Sequence, residues 1–384
     1  MSEKRIRFLH CADLHMDTPF RDQGDEGYSE IRRRDVKGAL DAIVQLSLKE
    51  NVDFVLICGD LFEHHYTSKM SIEWISSRLE SNGVPVVIIP GNHDPYVSNS
   101  WYRAWKWPDN VTILTPDQPY TEFTILSTCI YGIGFSAFRQ DKPDLKGVIP
   151  PSRGKFNILM LHGSLDLDIA KQPYHPVTSE ELEALEYDYY ALGHFHKRRS
   201  DYNLKNAANP GSAEPLGFDE TDAHGVLIVE LLLDDQNRKT LKIEQRDIAQ
   251  RRYVDRSLNI TTCQSLEEIK LRILGVMAGY NPERDLLRIT LTGRTDHAID
   301  VKVLMRLISQ GWLYFKLRDE TKGQYDYTGF SKEPTLKGAF TREMLKKLQE
   351  CEKVGDTGQI LILQKALDLG LEALENGKIE SLSD

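Results

Sequence analysis

Five short apolar runs in the first half of the chain each break off at a residue able to bind metal, with glycine beside most of them. One leads through Phe8 and Leu9 to Asp13 and His15, one through Phe54 and Val55 to Gly59-Asp60, and one through Val86 and Ile88 to Gly91-Asn92-His93-Asp94. The last two lead through Ile158 to His162-Gly163, and through Tyr189 and Leu192 to Gly193-His194 and His196. Runs of this length, rich in Val, Ile, Leu and aromatics, suit buried strands better than helices. Helical spacing intervenes at 31–50 (Ala39, Leu40, Ile43, Val44, Leu46) and at 70–82, which predicts βαβαβ with right-handed crossovers. Stretches 111–115, 122–126 and 129–133 read as antiparallel strands. Strands follow at 156–161 and 188–192 around a helix at 179–185, and then a β run through 207–212, 225–231 and 240–246.

The pattern breaks near Ala249-Gln250-Arg251-Arg252. From 253 to about 320 it reads β-α-β-α-β without any cluster of metal-type residues. Residues 323–334, rich in Gly, Tyr and Lys, read as a linker, and from Leu345 to Glu375 the spacing is helical, with Leu361, Ile362, Leu363, Leu367, Leu371 and Leu374 able to share a face. The division is therefore 1–248, a small α+β domain at 249–322, and a linker with C-terminal helices at 323–384.

Ligands of open α/β sheets gather beyond the carboxyl ends of the strands, so one face should collect Asp13, His15, Asp60, Asn92, His93, His162, His194 and His196. Asp13 and His15 are two residues apart, and alternate side chains at a fraying strand end share a face. His194 and His196 repeat that spacing. Asp60 can bridge two ions through its two oxygens, Asn92 offers a neutral oxygen and His162 a nitrogen. Seven N/O donors without a thiolate suit manganese first, with iron or zinc as alternatives. Two divalent ions would exceed the charge of Asp13 and Asp60 and leave the site positive, which favours an anionic substrate. Ions about 3.5–4 Å apart would clamp both oxygens of an in-line phosphoryl displacement.

Composition adds a tension. Hydrophobic residues make up 40% and charged residues 28%, enough for full cores, but the formal charge is -10, unlike the basic surface of most nucleic-acid binders. Arg32-Arg33-Arg34 and Arg251-Arg252 read as solvated surface charge. Lys197-Arg198-Arg199 directly follows His196 and should border the site, which makes Lys197 and Arg198 candidate substrate contacts. No run approaches a membrane span, no signal peptide is expected at Met1, and Cys11, Cys58, Cys129, Cys263 and Cys351 form no CxxC pair, so a cytoplasmic protein with reduced thiols is expected. His10 reads as packed, and His175, His224 and His297 as surface residues. Trp101, Trp105, Trp107, Tyr96 and Tyr102 either stack unpaired bases or pack their own loop. Asp17 and Asp94 are expected to support the site from behind.

The ordered set Asp13-x-His15, Gly59-Asp60, Gly91-Asn92-His93-Asp94, His162 and Gly193-His194-x-His196 resembles the calcineurin-like metallophosphoesterase superfamily. The segment from His10 to Phe20, Gly59-Asp60-Leu61-Phe62, Asn209-Pro210-Gly211-Ser212 and Gly217-Phe218-Asp219-Glu220 are similar to the SbcD-type DNA-repair nucleases, and within them to the YhaO branch. The resemblance covers residues 5 to about 247. It implies an α/β fold, a four-layer αββα sandwich with the site at its loop edge. It also implies one metal on Asp13, His15, Asp60 and His196 and another on Asp60, Asn92, His162 and His194, with His93 protonating the leaving oxygen. Its further implications are DNA as substrate, an SbcC-like coiled-coil ATPase as partner with the C-terminal helices as the docking element, and compatibility with a homodimer. One position departs. Many of these nucleases carry a histidine three residues after the bridging Asp, tied to exonuclease activity, and here it is Glu63. Related phosphatases use a carboxylate there to orient the histidine, so Glu63 is expected to partner His93; His64 and His65 are expected to serve the loop. Activity on small phosphodiesters or phosphoproteins, and a non-catalytic scaffold, remain the alternatives.

Overall fold

A computed structural model describes residues 4–20, 26–81, 83–149, 151–152, 155–166, 174–236 and 238–377; the expectation for Met1 lies outside them. By contacts the chain divides into one unit of Met1–Asp255, Asn281–Leu287 and Gly311–Tyr314, and another of Arg256–Tyr280, Arg288–Gln310 and Phe315–Asp384.

In chain order the first elements are β1 (Lys4–Cys11), α1 (Glu26–Lys49), β2 (Phe54–Cys58), α2 (Lys69–Ser81), β3 (Val86–Ile89), α3 (Trp101–Ala104), β4 (Val111–Ile113), β5 (Tyr120–Phe123), β6 (Thr128–Ile133), β7 (Phe156–His162), α4 (Ser179–Glu183), β8 (Tyr189–Gly193), β9 (Ala207–Ala208), β10 (Gly225–Leu233) and β11 (Lys239–Asp247). They form a six-stranded sheet of order β11-β10-β1-β2-β3-β4 and a five-stranded sheet of order β5-β6-β7-β8-β9.

Side chains of successive residues point to opposite faces of a strand, and here both faces are covered, which is why the runs are continuously apolar. Ile6 and Phe8 of β1, Phe54 and Leu56 of β2 and Val87 of β3 meet Phe156, Ile158 and Met160 of β7 and Tyr189 of β8 between the sheets. Leu9, Val55, Ile57 and Ile88 face the other way, onto Val36, Leu40 and Ile43 of α1 and Ile72 and Ile75 of α2. Beyond the second sheet, Leu159, Leu161 and Tyr190 pack on Leu182 of α4 and on the loop residues Val148, Leu165, Val177 and Tyr202. The layers are those of the expected αββα sandwich, with the fourth built largely of loops.

Three local expectations fail. Strand β4 does not join an antiparallel group; it extends the first sheet, parallel to β3. Strand β5 ends at Phe123, and Thr124–Leu126 form a 3-10 turn that hands the chain to β6. The triplet Arg32-Arg33-Arg34 is not all surface, because Arg32 is fully buried.

Beyond β11 come β12 (Arg252–Asn259), α5 (Leu266–Met277), β13 (Asp285–Thr292), α6 (Val301–Ile308) and β14 (Phe315–Asp319), in a three-stranded sheet of order β12-β13-β14. The expected linker holds a short helix, α7 (Tyr327–Lys332), and the helical tail is two helices, α8 (Leu336–Val354) and α9 (Thr357–Asn376). Met344 and Leu348 of α8 pack on Leu367 and Leu371 of α9, while Leu336, Val354, Leu361 and Ile362 stay exposed. Among the described residues no helix is long and apolar enough to cross a membrane, and the five cysteines are free thiols.

Candidate metal centre

All five loops after β1, β2, β3, β7 and β8 converge, but not by strand alternation. Asp13 and His15 lie beyond β1 with φ of 52° and 49°, and Asp60 and His194 also have positive φ, 52° and 101°. Four of the seven expected ligands thus sit in left-handed backbone that such residues seldom adopt, a strain that concentrates at functional sites. The expectation that Asp13 and His15 share a face through strand periodicity is wrong in mechanism. Their loop is instead laid along the next one, with Asp13 N–H donating to Gly59 O (3.2 Å) and His15 N–H to Asp60 O (2.9 Å). Gly59 has φ +85°, and a Cβ there would meet the His162 ring at 2.2 Å, so the turn needs glycine on both counts. Asp94 braces the bundle of loops. It accepts from the backbone N–H groups of Asp60, Leu61, Phe62 and Gly91 and from the Tyr102 hydroxyl.

The ring nitrogens are aimed by their outer partners. His15 Nδ1–H donates to Glu63 Oε1 (2.8 Å) and His196 Nδ1–H to Glu220 Oε1 (2.6 Å), which turns both Nε2 atoms toward one point, 3.0 Å apart. His162 Nδ1–H donates to Cys58 O (2.7 Å), and its Nε2 faces Asn92 Oδ1 at 3.0 Å and Asp60 Oδ2 at 3.3 Å. His194 Nδ1 lies 3.1 Å from the same Asn92 oxygen. Asp60 Oδ2 is also 3.6 Å from His15 Nε2, so one carboxylate oxygen lies between two nests of donors. The potential ligand atoms of Asp13, His15 and His196, of Asp60, His162 and His194, and of His15, Asp60 and His93 each fall within 4.8 Å of one another. Lone pairs aimed at lone pairs are stable only around a cation or a proton, so this donor set fits two divalent ions.

Without a cation, the same closeness favours a proton on some of these rings and not on others. Burial works against protonating His162 and His196, but Asp60 beside the first and the Glu220 hydrogen bond on the second outweigh it, and both are held up at about 9. His194 goes the other way, down to about 3, through burial and the nearby His162. Burial raises Asp13, whereas Asp60 is held well below the usual carboxylate range, the His162 interaction overcoming its burial. Metal binding at pH 7 must therefore expel about one or two protons, and apparent affinity should climb as pH rises toward 9. Calorimetric titration with Mn2+ in buffers of different ionisation enthalpy reads this directly. Buffer-independent heats at pH 7 would contradict it.

His93 is set apart. Its side chain is 45% exposed where the buried ligands show almost no surface, and Nδ1–H donates to Glu63 Oε2 at 3.0 Å. Burial opposes protonation of His93, yet the Glu63 hydrogen bond and the charges of Asp60 and Glu63 win and place it at about 9. Glu63 is itself pulled down to about 2, its burial outweighed by His15 and His93. The expected Glu63–His93 pair is present, and Glu63 holds His15 as well.

Sequence reasoning missed Glu220, which is buried and also accepts from Ser212 Oγ (2.8 Å) and Leu216 N–H (3.0 Å). Its signal was the Gly217-Phe218-Asp219-Glu220 stretch. A carboxylate behind a ligating imidazole typically contributes 10–100-fold in metal affinity. Glu220→Ala should lose about that much, measured by competition with a metal-sensitive dye, and an unchanged affinity would remove Glu220 from the site. His175 and His224, expected at the surface, are buried. His175 Nδ1–H donates to His162 O (3.1 Å) and its ring stacks on Phe135, and His224 Nδ1 contacts Ser212 Oγ at 2.8 Å behind Glu220. His10 is packed as expected, between the Tyr189 hydroxyl and Leu192 O. Lys197 pairs with Asp222, and Arg198 with Asp247 and Gln245, so neither is aimed at the centre by a hydrogen bond to it. Tyr102 is buried, and Trp101, Trp105, Trp107 and Tyr96 pack against the core under the first sheet.

Residues 6–198 match the family described as calcineurin-like phosphoesterase. The uncharacterized metallophosphoesterase YhaO of Bacillus subtilis is 30% identical over an alignment 240 residues long that covers 59% of this chain and 57% of that one, so the chain spans somewhat over half of that relative. The DNA double-strand break repair protein Mre11 of Sulfurisphaera tokodaii is 24% identical over 84% of this chain and 83% of its own. That of Saccharolobus solfataricus is 25% identical over 98% and 99%.

Proposed function

The chain belongs to the calcineurin-like phosphoesterase family, and on that premise we propose that it is a dinuclear-metal phosphodiesterase that cuts DNA. The observation that carries this reading is the pairing of two donor nests around Asp60 Oδ2, 3.6 Å from His15 Nε2 and 3.3 Å from His162 Nε2. Asp13, His15, Asp60 and His196 would hold one ion, and Asp60, Asn92, His162 and His194 the other. When bound, such ions, manganese by preference, activate a water and neutralise charge on the phosphate.

The chain's own residues then divide the work. Asp60 sets the spacing. Glu63 and Glu220 fix the tautomers of His15 and His196. His93, solvent-facing and protonated, gives its Nε2 proton to the leaving oxygen, and Glu63 steadies the imidazolium. DNA double-strand break repair proteins among the relatives support DNA as substrate. A capping role for 249–322, a docking role for the helices of 323–384, an SbcC-like ATPase partner and Lys197 and Arg198 as substrate contacts belong to the same reading.

His93 is also a member of one donor cluster, which makes a ligand role its rival. His93→Ala should keep two metals per chain and lose about 100-fold or more in turnover. A drop in metal stoichiometry would make His93 a ligand. The reading as a whole is tested with Mn2+, Zn2+ or Mg2+ on labelled single- and double-stranded DNA. Cleavage with a steep loss between about 50 and 200 mM salt is expected. Flat salt dependence with turnover of small phosphodiesters alone would overturn DNA as the substrate.

A further inference from the structure

Two loops at the lip of the centre carry rings that neither the metal site nor the core uses. His65 and Phe138 lie nearly parallel, with centroids 5.0 Å apart and 13° between planes. His64 stands edge-on to both, at 5.2 Å and 86° from His65 and at 5.4 Å and 74° from Phe138. The outer rings face solvent: His65 is exposed and Phe138 keeps 38% of its surface. The contrast with Trp101, Trp105 and Trp107 is direct, since those rings are packed on the core.

Both loops are tied to the candidate chemistry. His64 directly follows Glu63; its N–H donates to His93 O (3.0 Å), and the turn closes through Tyr66 and Thr67 N–H groups on Glu63 O (2.9 Å each). The Phe138 loop leaves β6 through Phe135, whose N–H donates to Pro90 O (2.9 Å), whose carbonyl accepts from Tyr96 N–H (2.8 Å) and whose ring meets His162 edge-on at 5.7 Å. The segments that position His93 and His162 therefore also fix the ring pair. Arg139, next to Phe138, is exposed and pairs with no carboxylate among the described residues.

We infer that His65 and Phe138 form a stacking platform for an unpaired nucleobase of the strand whose phosphodiester lies at the metal centre, with Arg139 meeting a flanking phosphate. This rests on the nuclease reading and adds to it a preference for single strands, overhangs or frayed ends. A base inside a duplex has both faces covered by its neighbours, so only a base with a free face can stack on a protein ring. Stacking of this kind is sequence-tolerant, because every base has a π face.

The test uses the full chain with Mn2+ and 5′-labelled single-stranded oligonucleotides, intact or with one abasic residue walked through the sequence. One abasic position should lower kcat/KM by about 5- to 150-fold, the range of one lost stack. Phe138→Ala should lose a similar factor on the intact strand and nothing further on that abasic strand, and Phe138→Trp should regain most of it. Metal content and melting temperature check that the variants are folded. Abasic effects that are absent, or that multiply with Phe138→Ala, overturn the platform while DNA cleavage by the parent chain still supports the nuclease reading. A parent chain that cleaves no DNA removes both.

Discussion

Asp60→Asn removes hydrolysis altogether: turnover of any phosphodiester should fall by at least about 100-fold, and metal content should drop below two per chain. The substitution is nearly isosteric, so the fold should survive it. What changes is charge. Oδ2 of Asp60 lies between His15 Nε2 and His162 Nε2, and Oδ1 accepts from His93 N–H at 2.8 Å. An amide oxygen in the Oδ2 place carries no full charge to share between two cations, and its NH2 would then face the His93 N–H, donor against donor. It also removes one of the two negative charges that balance the pair of ions. Both sites loosen together, which distinguishes a shared ligand from a private one. Substituting Asn92 should weaken only the site it shares with His162 and His194. Residual activity in Asp60→Asn above a few per cent of the parent, with two ions bound, would rule out the shared role.

The second large effect is on stability, far from the chemistry. Arg32 has no exposed surface; it donates to Asp35 (2.7 Å), Glu214 (2.8 Å) and Pro215 O (2.6 Å), and its guanidinium lies over Phe20 and Tyr253. Glu214, also buried, accepts from Gln250 and Arg251 N–H groups as well. Removing one member of a buried pair strands the other, at a cost of about 3–5 kcal/mol. Arg32→Met should therefore lower the melting temperature by about 10 °C, while the double replacement with Glu214→Leu recovers much of the loss because no unpaired charge remains. Burial, with a lesser push from Asp35, raises the Glu214 carboxyl, and Arg32 is the main group that opposes it, helped by the Gln250 N–H, so the single variant should be less destabilised at acidic pH, where Glu214 takes a proton. A single variant that melts within about 2 °C of the parent would show that the network is neutral to stability.

The sequence made the sandwich and the set of converging donors readable for one physical reason. Strands buried on both faces must be continuously apolar, so the residue that ends each run stands out. What stayed hidden depended on long-range pairing. Nothing local marks Arg32 as different from Arg33; it is buried because Glu214, from the loop after β9, reaches it. Strand β4 was misplaced because a three-residue strand carries too little pattern to tell which sheet it joins. Asp13 and His15 do come together, but through left-handed backbone, uncommon for residues with a side chain, and not through strand alternation. His175 and His224 looked like surface residues because the carbonyl of His162 and the Ser212 hydroxyl that their Nδ1 atoms contact come from other parts of the chain. Glu220 was spelled out as part of a motif, but its task became clear only with the 2.6 Å contact to His196.

Anomalous X-ray scattering at the manganese edge, from crystals of the full chain grown with Mn2+, tests the central claim most directly. Two peaks about 3.5–4 Å apart are expected astride Asp60, one beside His15 and His196 and the other beside Asn92, His162 and His194. A single peak, or two peaks that do not share Asp60, would contradict a dinuclear centre.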